Sequence, residues 1–66
     1  MIPSWRIERK KKPPLFYLGP YWFALSFAIQ ECFPGLPASH VSVREDYTGD
    51  ETILVYAEQK VKLISA

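Results

Sequence analysis

Cys32 and His40 are the residues of this chain whose types could pair as a nucleophile and its base. Such a pair needs hydrogen-bond contact between the two side chains and a third group that orients the histidine. The segment 34–39 separates them, and helical periodicity places Cys32 on an apolar stripe, where it would behave as a small buried hydrophobe. The sequence therefore does not favour a Cys–His enzyme.

The acidic residues give no catalytic or metal-binding pattern. Glu45 and Asp46 are adjacent, so in a strand they point to opposite faces and cannot act as an acid–base pair. The acidic group around Gly49 lacks the spacing and the closing Glu of a calcium loop; we expect a solvated hairpin tip formed by Glu45, Asp46, Asp50 and Glu51. One cysteine and one histidine are too few for structural zinc, and no glycine-rich phosphate loop occurs. We expect no enzymatic activity, no cofactor and no metal.

A basic cluster near the start of the chain is a candidate for nucleic-acid contact. It consists of Arg6, Arg9, Lys10, Lys11 and Lys12. The aromatic residues Trp5, Phe16 and Tyr17 lie nearby, and single-strand binders combine phosphate contacts with stacking on aromatic rings. The alternative is a solvated arm that keeps the protein soluble. The net charge of +1 is weaker than nucleic-acid binders usually show, so nucleic acid is our second choice of partner.

An uncharged run, Pro13 to Gln30, directly follows the lysines. A membrane-spanning helix needs about 20 apolar residues, and Gly19-Pro20 interrupts this run, because proline removes a backbone donor and clashes with the preceding turn. A cleaved signal would leave a mature chain with little core. We therefore expect no membrane segment, and a cytoplasmic location.

Hydrophobic periodicity predicts a single α+β domain over residues 1–66. One helix should pack on a three- to four-stranded antiparallel sheet. The predicted parts are a basic N-terminal strand or arm (1–18), a helix (19–33) and a C-terminal β-hairpin region (39–64). Within them we expect a break at Lys11–Pro14, a hairpin turn at Tyr47–Asp50, a central strand from Glu51, and an edge strand or strand extension at Lys60–Ile64.

Two apolar surfaces exceed what one buried stripe requires. The helical stripe Tyr21, Leu25, Ala28, Ile29 and Cys32 faces the core, with Trp22 flanking it, whereas Phe23 and Phe27 fall on the opposite side, four residues apart. They form either an exposed anchor for a partner or a pair covered by Leu15–Leu18 or the tail. On the sheet, Leu54 and Tyr56 are expected to point to the face that the helix leaves uncovered.

The sequence thus favours a small non-enzymatic interaction protein, such as an adaptor, inhibitor or regulator, that docks on a larger macromolecule. Aromatic residues are enriched at interface centres, and the candidate interface residues are Phe23, Phe27, Leu54 and Tyr56. The alternatives are a small nucleic-acid-binding module and a homodimeric structural protein. Because a single cysteine excludes an internal disulfide, we expect dense aromatic packing or self-association to stabilise the short chain.

Overall fold

A computed structural model of the chain describes residues 2–45 and 51–66. Strands β1 (Ser4–Arg9) and β2 (Lys12–Leu18) form a hairpin that leads into helix α1 (Tyr21–Cys32). A short 3-10 helix (Ala38–His40) follows, and then come β3 (Ser42–Glu45), β4 (Glu51–Tyr56) and β5 (Gln59–Ser65). The strands form one antiparallel sheet in the order β2-β1-β5-β4-β3. The predicted α+β fold is confirmed, with five strands instead of three or four.

The last strand lies inside the sheet, which corrects the prediction of an edge strand or an extension at Lys60–Ile64. β5 pairs with β4 on one side and with β1 on the other. Its alternation places Val61 and Leu63 in the core, while Lys60 and Lys62 remain exposed. The first strand is therefore part of the sheet and not a free arm, because β5 holds it in place.

The predicted break at Lys11–Pro14 is wrong, since β2 begins at Lys12 and contains both prolines. The pairing moves from Ile7 opposite Leu15 to Arg9 opposite Lys12, so that Pro13 and Pro14 together face a single residue of β1. This is a β-bulge, and an edge strand with a bulge tolerates residues that lack a backbone donor. The prolines therefore bend and shield the first half of β2 without ending it.

Helix α1 lies against β1, β2 and β5. Its buried face consists of Ala24, Leu25, Ala28 and Ile29, which includes the centre of the predicted stripe. These side chains pack in one cluster with Ile7, Leu54, Val61 and Leu63 of the sheet. Gly19 precedes the helix with φ +148°, and a Cβ there would lie 3.0 Å from the Tyr17 ring. Glycine is thus needed at the turn from β2 into α1.

Two polar contacts of aromatic side chains attach the start of α1 to the sheet. The Tyr21 hydroxyl and the buried Thr52 hydroxyl are hydrogen-bonded at 2.9 Å. The Trp5 indole Nε1 donates to the Gly19 carbonyl at 3.0 Å, and the Trp5 and Tyr21 ring centroids are 5.4 Å apart. Tyr and Trp side chains can bury a large ring area while their O–H or N–H group forms a hydrogen bond. Tyr21 and Trp5 combine both kinds of contact at the start of the helix.

Leu54 and Tyr56 lie on the helix side of the sheet, so the prediction that they point to the uncovered face is wrong. Leu54 is 0% exposed and belongs to the core, and Thr52 on the same face is buried as well. Ile53 and Val55 are the residues of β4 that face the other way, and both are half-buried. The predicted turn at Tyr47–Asp50, and with it Asp46 of the acidic group, lies outside the described residues.

Ala57 adopts a left-handed backbone conformation, with φ 54°, in the turn between β4 and β5. This conformation costs a non-glycine residue roughly 1–2 kcal/mol. We expect Ala57→Gly to raise the unfolding free energy by about 0.5–1 kcal/mol, after the added entropy of the unfolded chain is subtracted. Thermal unfolding should show a Tm higher by about 2–8 °C.

Ala38→Gly is the matched control, because Ala38 is also exposed but has ordinary negative φ in the 3-10 helix. Ala38→Gly relieves no backbone strain and only raises the conformational entropy of the unfolded chain, so the Tm should fall. If Ala57→Gly lowered the Tm as Ala38→Gly does, the left-handed turn would not carry strain.

Candidate functional site

The outer edge of β2 is the first candidate surface. β2 pairs only with β1 among the described strands and therefore ends the sheet. Its first half contains Pro13 and Pro14, but its second half, residues 15–18, has neither proline nor charge. Edge strands present unpaired backbone donors and acceptors, which proteins usually shield with charge or proline. This second half lacks both forms of protection.

Exposed apolar side chains flank this half-strand on both sides of the sheet. Phe16 and Leu18 are 67% and 72% exposed and lie on the uncovered face, across from Arg6 and Ser4 of β1. Phe23 is 62% exposed on the outer side of α1. We call the combined area the β2-edge surface; it consists of Leu15, Phe16, Tyr17, Leu18, Phe23 and Phe27.

The structure places the predicted pair Phe23 and Phe27 in different environments. Phe27 is half-buried, and its ring centroid lies 5.1 Å from that of Tyr17 on β2. Phe23, one helical turn earlier, remains exposed. Residues 15–18 therefore cover Phe27 only, and Phe23 is the member of the pair that is free to contact a partner.

Phe16, Leu18 and Trp22 are exposed residues that the sequence did not identify. The strand register decides which residues of the apolar run 15–18 face outward, and that register is set by the pairing with β1. Trp22 is 70% exposed, although helical periodicity placed it beside the core. It lies on the flank of α1 opposite Phe27, since successive residues turn by about 100°. Of the predicted sheet residues, Tyr56 is partly exposed, but β5 and β1 separate its strand from β2.

The predicted basic cluster does not form one surface. Arg6 lies on the uncovered face, where its Nε is 3.2 Å from a Glu8 carboxylate oxygen. Arg9 follows three positions later in the strand and points to the helix side. Lys11 occupies the hairpin turn with φ 62°. Arg6 is thus separated from Arg9, Lys10 and Lys12, which line one cleft, and a nucleic-acid contact by the whole cluster stays a prediction.

A basic cleft is the second candidate site. It has a volume of about 390 Å³ and lies where the β1–β2 and β4–β5 turns approach the end of α1. Its lining comprises Arg9, Lys10, Lys12, Glu31, Cys32, Pro34, Glu58, Gln59, Lys60 and Val61. Lys60 was not part of the predicted cluster, because only the pairing of Arg9 with Val61 brings β5 beside this end of β1.

Cys32 lies in the cleft, whereas His40 is exposed and does not line it. Burial raises the pKa of the Cys32 thiol, and the positive charges of Arg9 and Lys12 oppose that rise without cancelling it. The thiol is therefore largely protonated at neutral pH, and His40, the base that the sequence suggested for it, does not lie beside it. Within residues 2–45 and 51–66, no three His, Cys, Asp or Glu side chains group as metal ligands.

We expect Cys32 to react with iodoacetamide more slowly at about pH 8 than an unstructured cysteine, because its raised pKa reduces the thiolate. Arg9→Gln should slow the reaction further, since Arg9 lowers that pKa. Arg6→Gln removes the same charge on the other face and should leave the rate unchanged. Alkylation rates between about pH 7 and 10 measure both effects, and equal rates for the two variants would contradict the assigned influence of Arg9.

Comparison of the chain with protein-family models, with curated proteins and with solved structures found no match. No helix in the described part of the chain is long and apolar enough to cross a membrane. The β2-edge surface and the basic cleft are the two candidate sites that the geometry of the described residues offers.

Proposed function

We propose that this chain is a small non-enzymatic interaction protein, acting as an adaptor, inhibitor or regulator, that binds an extended segment of a partner protein along β2. The observation that carries the proposal is an unshielded half-strand at the sheet edge, residues 15–18, with exposed Phe16 and Leu18 on one side and Phe23 on the other. An added strand receives affinity from main-chain hydrogen bonds and specificity from alternate side chains.

The two sides of the β2 edge offer different contacts to such a segment. Side chains of an added strand alternate between the two faces of the sheet. Those on the uncovered face would meet Phe16 and Leu18, and those on the helix side would meet Tyr17 and Phe23. A segment with apolar residues at successive positions therefore fits better than one that alternates apolar and charged residues.

β3, the other edge of the sheet, is a poorer docking strand. It has four residues, and two of them are the charged Arg44 and Glu45. Short, charged edges resist the addition of another strand. The proline bulge likewise shields the first half of β2. The part of the β2 edge without charge or proline is thus limited to residues 15–18. A partner strand would therefore bind at one defined position along β2.

The exposed apolar area indicates a transient interaction. An aromatic side chain can bury roughly 150–250 Å², so Phe16 and Phe23 at about two-thirds exposure offer on the order of 200–330 Å², to which exposed Leu18 adds. Monomeric proteins rarely expose larger apolar patches, yet stable complexes bury about 800 Å² per partner. The β2-edge surface is large enough to serve as a docking site, and binding by it alone should be readily reversible.

Self-association through the same edge is the second candidate. Two copies of β2 can pair antiparallel about a two-fold axis, because such an interface uses the same patch on both subunits. The pairing would place residues 15–18 of one copy against those of the other and would extend the sheet across the dimer. Light scattering combined with size-exclusion chromatography distinguishes this homodimer from a monomer that awaits a different partner.

The test of the proposal is selection of binding peptides from a random displayed library. We expect the wild-type protein to enrich extended segments rich in β-branched and aromatic residues. The double variant Phe16→Asp, Phe23→Asp should lose their binding, because it places charge on both sides of the β2 edge. Both side chains are exposed, so circular dichroism and Tm should remain near those of the wild type.

Trp22→Asp provides the control, since it adds a negative charge, as each substitution of the double variant does, at a similarly exposed aromatic residue on the other flank of α1. The selected peptides should still bind this variant. If Trp22→Asp abolished binding and the double variant did not, the docking surface would lie elsewhere on the helix. If no peptide distinguished wild type from the double variant, and the protein were also monomeric, the proposal would fail.

A further inference from the structure

Four cationic side chains, from three strands and one hairpin turn, line the basic cleft. Arg9 ends β1, Lys10 lies in the hairpin turn and Lys12 begins β2, while Lys60 comes from the start of β5. We propose that this cleft binds a phosphate-bearing ligand. The inference does not depend on the β2-edge surface, which is formed by the second half of β2 and by the side of α1.

The positive charges of the cleft are not neutralised by ion pairs within the described residues. The two salt bridges found there, Arg6–Glu8 and Lys62–Glu51, both lie on the uncovered face of the sheet. Glu31 and Glu58 also line the cleft, so its four cations and two carboxylates give a net charge of +2. An anion entering the cleft would therefore be attracted, and would not have to displace an existing ion pair among these groups.

The Arg9 guanidinium has unused hydrogen-bonding capacity. Its Nη2 donates to the Pro13 carbonyl at 2.8 Å, while its Nε is buried without a hydrogen-bond partner among the residues that the structure describes. Arginine carries five N–H donors in a planar fork suited to paired oxygens. A small rotation of the Arg9 guanidinium toward an oxyanion would give its buried Nε a hydrogen-bond acceptor. The hydrogen bond from Nη2 to the Pro13 carbonyl limits how far the guanidinium can move.

The shape of the cleft favours a compact phosphate group over an extended polyanion. Its volume of about 390 Å³ falls within the range of small-molecule sites. The cations converge on one concavity and do not form a track, and Arg6 and Lys62 of the uncovered face are already paired with carboxylates. Glu31 and Glu58 would repel an anion that spread over the whole lining. A single phosphate or a pyrophosphate meets these conditions best.

The test uses pyrophosphate and inorganic phosphate as probes, with binding measured by calorimetry at low ionic strength. Arg9→Gln and Lys60→Gln should each weaken pyrophosphate binding by about tenfold or more, as loss of a charged hydrogen bond does. Lys62→Gln and Arg6→Gln are the controls, because Lys62 and Arg6 carry the same charges on β5 and β1 but do not line the cleft and are paired with Glu51 and Glu8. These controls should change the affinity by less than about threefold.

Equal weakening by the cleft variants and the controls would show only a diffuse effect of net charge and would overturn the proposal. Absence of binding by either probe would also overturn it. A ten-nucleotide single strand distinguishes the source of the phosphate. If the ten-nucleotide strand bound more tightly than pyrophosphate and its binding still depended on Arg9 and Lys60, the ligand would be a nucleic-acid backbone. If the strand bound more weakly than pyrophosphate, the ligand would be a small phosphate compound. The Phe16→Asp, Phe23→Asp variant should bind pyrophosphate normally, which separates this outcome from failure of the proposed docking function.

Discussion

The pairing of the first strand with the last one is the interaction on which the rest of the structure depends. Ile7 of β1 lies opposite Leu63 of β5, about 56 residues further along the chain, and both side chains are fully buried. Closing a loop of this length costs roughly 3–4 kcal/mol in chain entropy. Burial of two aliphatic side chains contributes about 1.5–3 kcal/mol each, so this pair alone approximately offsets the closure cost.

Both candidate sites follow from that pairing. Because β5 occupies the inner edge of β1, β2 is left at the outside of the sheet with residues 15–18 unshielded. The same pairing sets Arg9 opposite Val61 and so brings Lys60 to the cleft at the other end of the hairpin. A single long-range contact therefore determines which strand edge is open and which cations converge. The two surfaces remain separate, since the proline bulge lies between them on β2.

The sequence predicted local structure well, because local signals were strong. The helix was bounded by Gly19-Pro20 and by Phe33-Pro34-Gly35, and it forms from Tyr21 to Cys32. Its apolar periodicity identified most of the buried face. The α+β class followed from one helix among alternating segments. The errors concern residues whose environment depends on which strands become neighbours, a property that local patterns do not encode.

Leu54 and Lys60 show this limit most clearly. β4 is apolar on both faces, so alternation could not tell which face the helix would cover, and Leu54 was placed on the wrong one. The alternating lysines of the last strand predict an edge strand at Lys60, because nothing local reveals that β1 occupies the other side of β5. Phe27 is a related case, since only the position of Tyr17 on the adjoining edge strand decides that Phe27 is covered and Phe23 is not.

Aromatic side chains supply much of the packing of this short chain, whose single cysteine excludes an internal disulfide, and this use explains why so much apolar surface remains outside. The aromatic side chains at or against α1 are Trp5, Tyr17 and Tyr21. Each ring packs against another aromatic ring, and the polar atoms of Trp5 and Tyr21 also form hydrogen bonds. One helix of twelve residues cannot cover both flanks of its own aromatic residues and five strands as well. Phe16, Leu18 and Phe23 remain exposed, and they lie beside a four-residue stretch of the β2 edge that has no charge or proline. An exposed apolar patch without an open sheet edge could be incidental, and an open edge without apolar side chains beside it would bind strands weakly. At residues 15–18 an open edge and an exposed apolar patch occur together. This combination is the physical argument for the proposed strand-binding function.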